Sequence, residues 1–300
     1  MAYLIKFFKF LGVNQGEDQS KLNIYSALNQ NIRKNYFLWF SIAIITPIWA
    51  VSFITLAFLK DKEVFTYIAL IPIGIILTYS RYLIGQGRSV FWKEFALRNG
   101  WGYSPKLDLS KEPAILLKQG NSGRSAKYEL RKTIDGKQVR IFYYTFTVRV
   151  GKHTYTYSYT VIGFTFSGSF PHLYLDRALN TSGATKISLG SFGVKVDLPP
   201  VSLPSEFEEK FKLYVPQKYE MEALQIFTPD ILIRLLDIDF KYDIEFINQE
   251  VLIFIDGEID SLEKLEHEFE AAKKIRDLLA PTLNSIKFSP IGDRPYYLSR

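Results

Sequence analysis

Two long apolar runs dominate the N-terminal third of the chain. Residues 36–59 contain no ionisable side chain except the first tyrosine, and the only charged side chain in residues 64–84 is Arg81, in the last turn. At 1.5 Å per residue, each run is long enough as a helix to cross a hydrocarbon core of about 30 Å. The charged break at residues 60–63 is short enough to reverse the chain. This pattern predicts a transmembrane helical hairpin over residues 36–84.

Basic residues are concentrated outside the connecting loop of this hairpin. Five Lys and Arg residues precede the first run, and four more, from Arg81 to Arg98, lie in the last turn of the second run or shortly after it, whereas the loop contains only Lys60 and Lys62. Because such residues are retained on the cytoplasmic side, we expect a multi-pass protein of the inner cell membrane with both termini in the cytoplasm. Residues 1–35, which mix aromatic residues with lysine, are expected to form interfacial and lead-in helices.

A strand pattern replaces the helical one in the middle of the chain. A short helix is predicted at residues 89–99, and residues 113–200 are expected to be mostly strands. Tyr155, Tyr157, Tyr159 and Val161 alternate with Thr and Ser, which gives a strand one aromatic and one hydroxyl face. We expect this aromatic row to form half of a sheet core, opposite the apolar residues of the preceding strand across a turn at Gly151.

The last third mixes helices and strands. The sequence Thr-Pro-Asp at residues 228–230 is typical of a helix start. Two strands are predicted at residues 240–247 and 251–256, joined by a turn, and a final helix is expected to run to about Leu279 and to end at Pro281. The predicted fold class is therefore α+β: an N-terminal transmembrane hairpin, then an antiparallel, strand-rich soluble region with two packed helices near the C-terminus.

Charge divides the soluble region into two halves. Residues 101–200 carry 14 Lys and Arg against 6 Asp and Glu, and residues 201–300 carry 12 against 20. The segment Leu-Pro-Pro at 198–200 is the expected boundary. We therefore divide the region into a basic strand-rich half, residues 89–200, and an acidic half, residues 201–300, with different neighbours.

Six basic residues near the predicted membrane are candidates for contact with anionic lipid, where each nearby cation contributes about 1 kcal/mol. They are Arg81, Arg88, Lys127, Arg131, Lys132 and Arg140. An alternative is that these charges neutralise the acidic C-terminal half. Nucleic acid is not an expected partner, because no motif for it accompanies the charge.

Signatures of catalysis and metal binding are weak. Cysteine is absent, and His153, His172 and His267 are scattered, so each is expected to be a lone surface histidine. The glycine-containing loop at residues 120–124 lacks the Gly-Lys-Ser/Thr of a phosphate loop. The sequence therefore predicts no catalytic, cofactor-binding or metal-binding residue, and no cofactor.

Several motifs resemble those of a family of bacterial two-helix membrane proteins. They are Asp135-Gly136-Lys137 before a tyrosine-rich hairpin, Phe211 to Tyr214, Ala223, and Thr228-Pro229 before an apolar helix. The resemblance covers residues 36–280. It implies two N-terminal membrane helices and a cytoplasmic domain of unknown function, and it implies no site residues.

These observations favour a non-enzymatic, membrane-anchored cytoplasmic module for interaction or regulation. Its basic half would face anionic lipid, and its acidic half would be available to a protein partner. The alternatives are a membrane-associated enzyme acting on lipid or envelope precursors, and an accessory subunit of a membrane complex. A deep pocket that holds a group with a strongly shifted pKa would favour the enzyme.

Overall fold

Residues 62–177, 198, 200–238 and 240–285 are described by a computed structural model, together with the single positions Pro47 and Ala50. These residues belong to two compact units. One contains the described residues up to Phe95 together with Asp260–Leu262, and the other contains the described residues of Ala96–Ile259 and those from Glu263 onwards. The helices predicted within residues 1–35, and the first apolar run except for Pro47 and Ala50, lie outside the described residues.

The helix α1, Lys62–Asn99, is a single element of 38 residues. It includes part of the predicted loop, the whole second apolar run and the predicted helix at 89–99. Among the helices that the structure describes, none combines the length and the apolar character needed to span a bilayer. The predicted transmembrane hairpin and the multi-pass inner-membrane localisation are therefore wrong.

The physical reason lies in what the apolar run is joined to. The helix continues without a break past Ile84, and its second half carries ionisable residues at Arg88, Lys93 and Arg98. Between these charges, Phe91, Trp92 and Phe95 are buried. The apolar run is thus the first part of a longer amphiphilic helix, and its length alone was a misleading signal.

A seven-stranded antiparallel sheet forms the main unit, with strand order β1-β2-β3-β4-β6-β5 and β7 paired to β4. The strands are β1 Gly102–Leu107, β2 Ser122–Ile134, β3 Lys137–Val150, β4 His153–Arg177, β5 Pro200–Val201, β6 Phe211–Tyr214 and β7 Asp243–Asp256. The other α-helices within the described residues are α2 Ser205–Glu208, α3 Glu220–Ile226, α4 Pro229–Asp237 and α5 Leu262–Ser285. Two 3-10 turns, Leu109–Lys111 and Leu116–Lys118, follow β1.

The aromatic hairpin has the predicted register. Tyr144 pairs with Tyr159 and Phe146 pairs with Tyr157 across β3 and β4. The Phe146 and Tyr159 rings are stacked, with centroids 6.2 Å apart. Cross-strand aromatic pairs of this kind stabilise a sheet, and here they form the centre of one core face. The predicted core role of the aromatic row is confirmed for Tyr159, whereas Tyr155 is 50% exposed.

Residues 108–119, which we call the strap, cover this face of the sheet. Ala114, Ile115 and Leu117 of the strap belong to the same buried cluster as Phe142 and Tyr144. The opposite face packs against α5, since the ring of Phe164 lies 6.1 Å from that of Phe269. The helix α5 runs through Pro281 to Ser285, so its predicted end was wrong. Pro281 has no N–H to donate to the carbonyl of Asp277, so the last turn of α5 begins with one helical hydrogen bond missing.

Strand β7 corrects another prediction. Two strands joined by a turn were expected, but Asp243–Asp256 is one continuous strand paired along β4. Asn248 has a φ of 54°, and the register with β4 shifts between Thr165 and Phe170. Asparagine tolerates the left-handed conformation better than most residues. Asn248 therefore forms a bulge within a continuous strand, and the prediction of a turn between two strands was wrong.

Candidate ligand-binding site

Arg140 is the centre of a buried ion-pair network at one end of the strap-covered face. It lies on β3 and is 8% exposed. Its Nη1 and Nη2 donate to the two carboxylate oxygens of Glu112 in the strap, each at 2.8 Å. Nη2 also donates to Glu250 Oε2 on β7, at 2.6 Å. Bidentate pairing fixes both the position and the orientation of a guanidinium group.

A second arginine extends this network towards solvent. Glu129 Oε1 lies 4.0 Å from Arg140 Nη1 and accepts a hydrogen bond of 2.7 Å from Arg131 Nε. Arg131 and Arg140 are directly opposite each other in the β2–β3 register. Like charges in such a pair repel, so the carboxylate between them is stabilising. The Arg131 side chain is 61% exposed, against 10% for Arg140.

Gly163 makes room for Arg140 to reach across the sheet. It lies beside Arg140 on β4, with Leu252 of β7 on its other side. A Cβ atom at Gly163 would lie 3.0 Å from Arg140 Cγ and 2.9 Å from Leu252 Cδ2. A side chain here would therefore push Arg140 away from Glu250.

A cleft of about 610 Å³ opens beside these ion pairs, and we call it the charged cleft. Its lining residues are Gly100, Glu112, Pro113, Arg131, Lys132, Thr133, Gln138, Val139, Arg140, Thr165, Asn248 and Glu250. Nine of these twelve side chains are polar or charged, whereas small-molecule sites are mostly apolar. The size suits a small ligand, and the lining suits one that is recognised by hydrogen bonds and charge.

Burial and pairing shift the pKa values in the cleft. Burial by itself lowers the pKa of Arg140, but its hydrogen bonds to Glu112 and the charge of Glu250 outweigh that effect, so this pKa lies above its usual value. Burial also raises the pKa of Glu250, and the charge of Arg140 offsets only part of that effect. Arg140 therefore stays charged, and Glu250 is less acidic than an exposed glutamate.

Lys132 joins the wall of the charged cleft to the end of α1. Its Nζ donates to the backbone oxygen of Asn99 at 2.7 Å and lies 6.0 Å from the centre of the Trp101 ring. Burial lowers the pKa of Lys132. Lys132 therefore both lines the charged cleft and binds the C-terminal end of α1.

Three of the six predicted basic residues meet in the charged cleft: Arg131, Lys132 and Arg140. The others lie elsewhere: Lys127 is exposed on β2, and Arg81 and Arg88 belong to α1. For Arg140 the structure shows the pairing between the basic and acidic halves that was the alternative to lipid contact.

The acidic members of the cleft were not predicted from the sequence. Glu112 and Glu250 are 28 and 110 residues from Arg140 along the chain. No local pattern links residues that far apart. The available signal for Glu250 was its position within an otherwise apolar strand pattern, where an acid needs a buried partner.

A second buried polar contact fixes the middle of the strap. Both carboxylate oxygens of Glu245 accept strap amides: Oε1 accepts the Ile115 N–H, and Oε2 accepts the Leu116 N–H at 3.1 Å. His172 Nε2 lies 2.5 Å from Glu245 Oε1. His172 is 5% exposed, so the prediction of a surface histidine was wrong for this residue. Its place on β4 opposite β7 explains its burial.

A pair of aspartates lies further along the same two strands. Asp176 ends the buried part of β4 and Asp243 begins β7, and both are buried. Burial raises the pKa of Asp176 to about 6, while Lys212 and a hydrogen bond with Asp243 act in the opposite direction. Burial and the charge of Asp176 raise the pKa of Asp243 well above its usual value. The pair therefore titrates as a unit that retains a proton more readily than exposed aspartates.

We expect Asp176→Asn to raise the free energy of unfolding at pH 7 by about 1–3 kcal/mol. The folded-state pKa lies above the unfolded value of 3.8. The folded protein therefore binds this proton more tightly and loses stability as the pH rises from about 4 to 6. Asparagine removes that loss. Urea unfolding of both proteins across this range measures the difference, which should be small near pH 4 and grow towards pH 7.

Asp135→Asn is the matched control for this substitution. Asp135 is exposed in the β2–β3 turn, with a φ of 52° that asparagine also tolerates. Its effect on stability should be small, because the side chain is exposed. If Asp176→Asn were destabilising at pH 7, the description of Asp176 and Asp243 as a pair that retains a proton would be contradicted.

No protein-family model matches the chain, and no curated protein matches it. Among solved structures, it is similar to the crystal structure of the mycobacterial trehalose monomycolate transport factor A, TtfA. The TM-score is 0.42 and the sequence identity 11%, over 67% of this chain and 96% of that chain. A likeness at this level carries no conclusion about fold or function. The resemblance to two-helix membrane proteins is tested by none of these comparisons and stays a prediction.

Proposed function

We propose that this chain is a non-enzymatic binding module and that the charged cleft is its ligand site. The observation that carries the proposal is a cleft whose floor is fixed and whose rim is open. The floor is the buried network of Arg140 with Glu112 and Glu250, which binds strap, β3 and β7 together. A fixed floor holds binding groups in place before a ligand arrives, which lowers the entropy cost of binding.

The rim supplies polar groups that have remaining hydrogen-bonding capacity. Within the described residues, the side chains of Thr133, Gln138, Thr165 and Asn248 make no hydrogen bond to the protein. Among the residues that the structure describes, the Arg131 guanidinium donates a hydrogen bond only through its Nε, to Glu129. A small polar ligand would satisfy these groups in place of water.

The geometry favours binding over catalysis. A general acid or base must be free to exchange its proton with a substrate. Glu250 has a raised pKa, but Arg140 holds its Oε2 at 2.6 Å, so only its Oε1 is available to a ligand. Asp176 and Asp243 are 5% and 3% exposed and do not line the charged cleft.

The proposed function does not include contact between the basic half and a membrane. The expectation that the basic half faces a bilayer was built on the predicted membrane hairpin. A protein partner for the acidic half does not depend on it and stays a prediction. The binding module that we propose has the charged cleft as its ligand site.

The test is a thermal-unfolding screen of the full chain against a panel of small polar metabolites. A ligand present at 100 times its Kd should stabilise the protein by about 2.7 kcal/mol. We expect Arg131→Gln to weaken the binding of any hit about tenfold, because it removes the exposed cationic group of the cleft.

Lys127→Gln is the matched control, since Lys127 is an exposed cation on the same strand and outside the cleft. It should leave the affinity unchanged. The proposal fails if no compound stabilises the protein, or if Arg131→Gln and Lys127→Gln weaken every hit equally.

A further inference from the structure

The charged cleft has an anionic side and a cationic side. On the anionic side, two carboxylates, Glu112 and Glu250, share the single positive charge of Arg140. This buried group therefore carries a net negative charge. Water screens it poorly, so a cation placed beside it is favoured.

Glu250 is the member of this group that a ligand can reach. Its side chain is 24% exposed, and only its Oε2 is bound by Arg140. Within the described residues Oε1 has no hydrogen-bond donor. An amine of a ligand would find a charged acceptor there, and its charge would balance the second carboxylate.

Arg131 provides the cationic side. Its Nε is bound by Glu129, which fixes the guanidinium while its two terminal nitrogens remain unoccupied within the described residues. Lys132 adds a second positive charge in the same wall. A carboxylate or phosphate group is the natural partner of such a fork.

We propose that the charged cleft binds a small zwitterion, with its amine at Glu250 and its anionic group at Arg131. This inference rests on the proposed function and adds the class of ligand. The rim amides and hydroxyl groups lie in the same cleft and add hydrogen bonds to the two charged ends of the ligand.

The two charged ends are separated by other groups. Glu129 and Arg140 stand between Arg131 and Glu250, with contacts of 2.7, 4.0 and 2.6 Å along the series. Arg131 is on β2 and Glu250 on β7, three strand spacings apart, or about 14 Å at the backbone. The long side chains shorten this gap without closing it. A ligand with its charges further apart than in an α-amino acid is therefore favoured.

The experiment is calorimetric titration of the full chain with ω-amino acids of four, six and eight carbons. Hexanoate and hexylamine, which each lack one of the two charges, are the matched ligands. We expect one chain length to bind best, and each single-charge analogue to bind about tenfold more weakly or worse. Arg131→Gln should reduce the zwitterion's affinity to that of hexylamine, while Lys127→Gln should leave it unchanged.

The outcomes separate this inference from the proposed function. If the single-charge analogues bind as well as the ω-amino acids, the zwitterion assignment is overturned. If no ω-amino acid binds but a compound from the metabolite panel does so in an Arg131-dependent way, the ligand class is wrong and the binding function stands. If no compound of either set binds, both are overturned.

Discussion

Replacement of Arg140 by methionine is expected to lower the free energy of unfolding by about 3–5 kcal/mol at neutral pH. Methionine fills a similar volume, but it leaves Glu112 and Glu250 buried together without their shared cation. The cost of a buried, uncompensated charge is larger than the cost of losing the hydrogen bonds themselves. Few single substitutions in this sheet should have a larger effect.

The pH dependence of the Arg140→Met defect follows from the same contacts. Burial already raises the pKa of Glu250, and the positive charge of Arg140 opposes that rise. Without Arg140, the pKa of Glu250 in the folded state rises further, so stability is lost as the pH increases through that region. Urea unfolding at about pH 4.5 and pH 7.5 measures this, and the defect should be smaller at the lower pH.

The matched repair is Arg140→Met combined with Glu112→Gln and Glu250→Gln. Neutral amides remove the uncompensated charge, so the triple variant should be more stable than Arg140→Met alone. Arg234→Met is the second control, because both side chains of its ion pair with Asp230 are exposed, at 61% and 69%, and a surface pair contributes about 0–1 kcal/mol. An Arg140→Met protein as stable as the wild type would show that the network does not stabilise the fold.

Local sequence patterns predicted those parts of the sheet that depend on neighbouring residues. The alternation around Tyr157 and Tyr159 sets which face is buried, and the turn at Gly151 sets the register against β3. Thr228 lies before α4 and its Oγ1 accepts the Ile231 N–H at 3.4 Å, as the helix-start pattern predicts. Each of these signals lies within a few residues of the structure it specifies.

Features that depend on distant residues were not accessible in this way. The contacts of the strap join residues 28 to 130 positions apart, from Glu112–Arg140 to Ile115–Glu245. From sequence, Arg140 was one of several cations in a basic stretch, and its burial follows only from strand order and from the absence of a side chain at Gly163. For residues 64–84 the local pattern was strong but misleading. These apolar residues predicted a separate membrane helix, whereas they are part of the longer helix α1, which continues to Asn99.

The strap connects the two buried networks. Glu112 binds Arg140 at its first part, and the amides of Ile115 and Leu116 bind Glu245 at its second. Glu112 and Pro113 also line the charged cleft. The position of the strap therefore determines the shape of the cleft, and its two anchors make separate contributions that substitutions can resolve.

Glu245→Leu is expected to lower the free energy of unfolding by about 2–5 kcal/mol. Leucine leaves two strap amides without an acceptor, at about 1–3 kcal/mol each if they stay buried. It also leaves His172 without its carboxylate partner. Glu245→Gln keeps one carbonyl oxygen, so it should restore part of the loss, and Glu263→Gln, at an exposed acid of α5, should have little effect.

Amide hydrogen exchange distinguishes loss of this anchor from general destabilisation. In Glu245→Leu, exchange at Ile115 and Leu116 should accelerate more than exchange in the paired centre of β3, because the strap opens locally before the sheet does. Arg140→Met should instead accelerate exchange throughout the sheet, since its partners lie on the strap and on β7. Uniform acceleration in Glu245→Leu would mean that the strap and the sheet unfold as one unit. The two anchors would then stabilise a single cooperative structure, and the cleft would not change shape without unfolding.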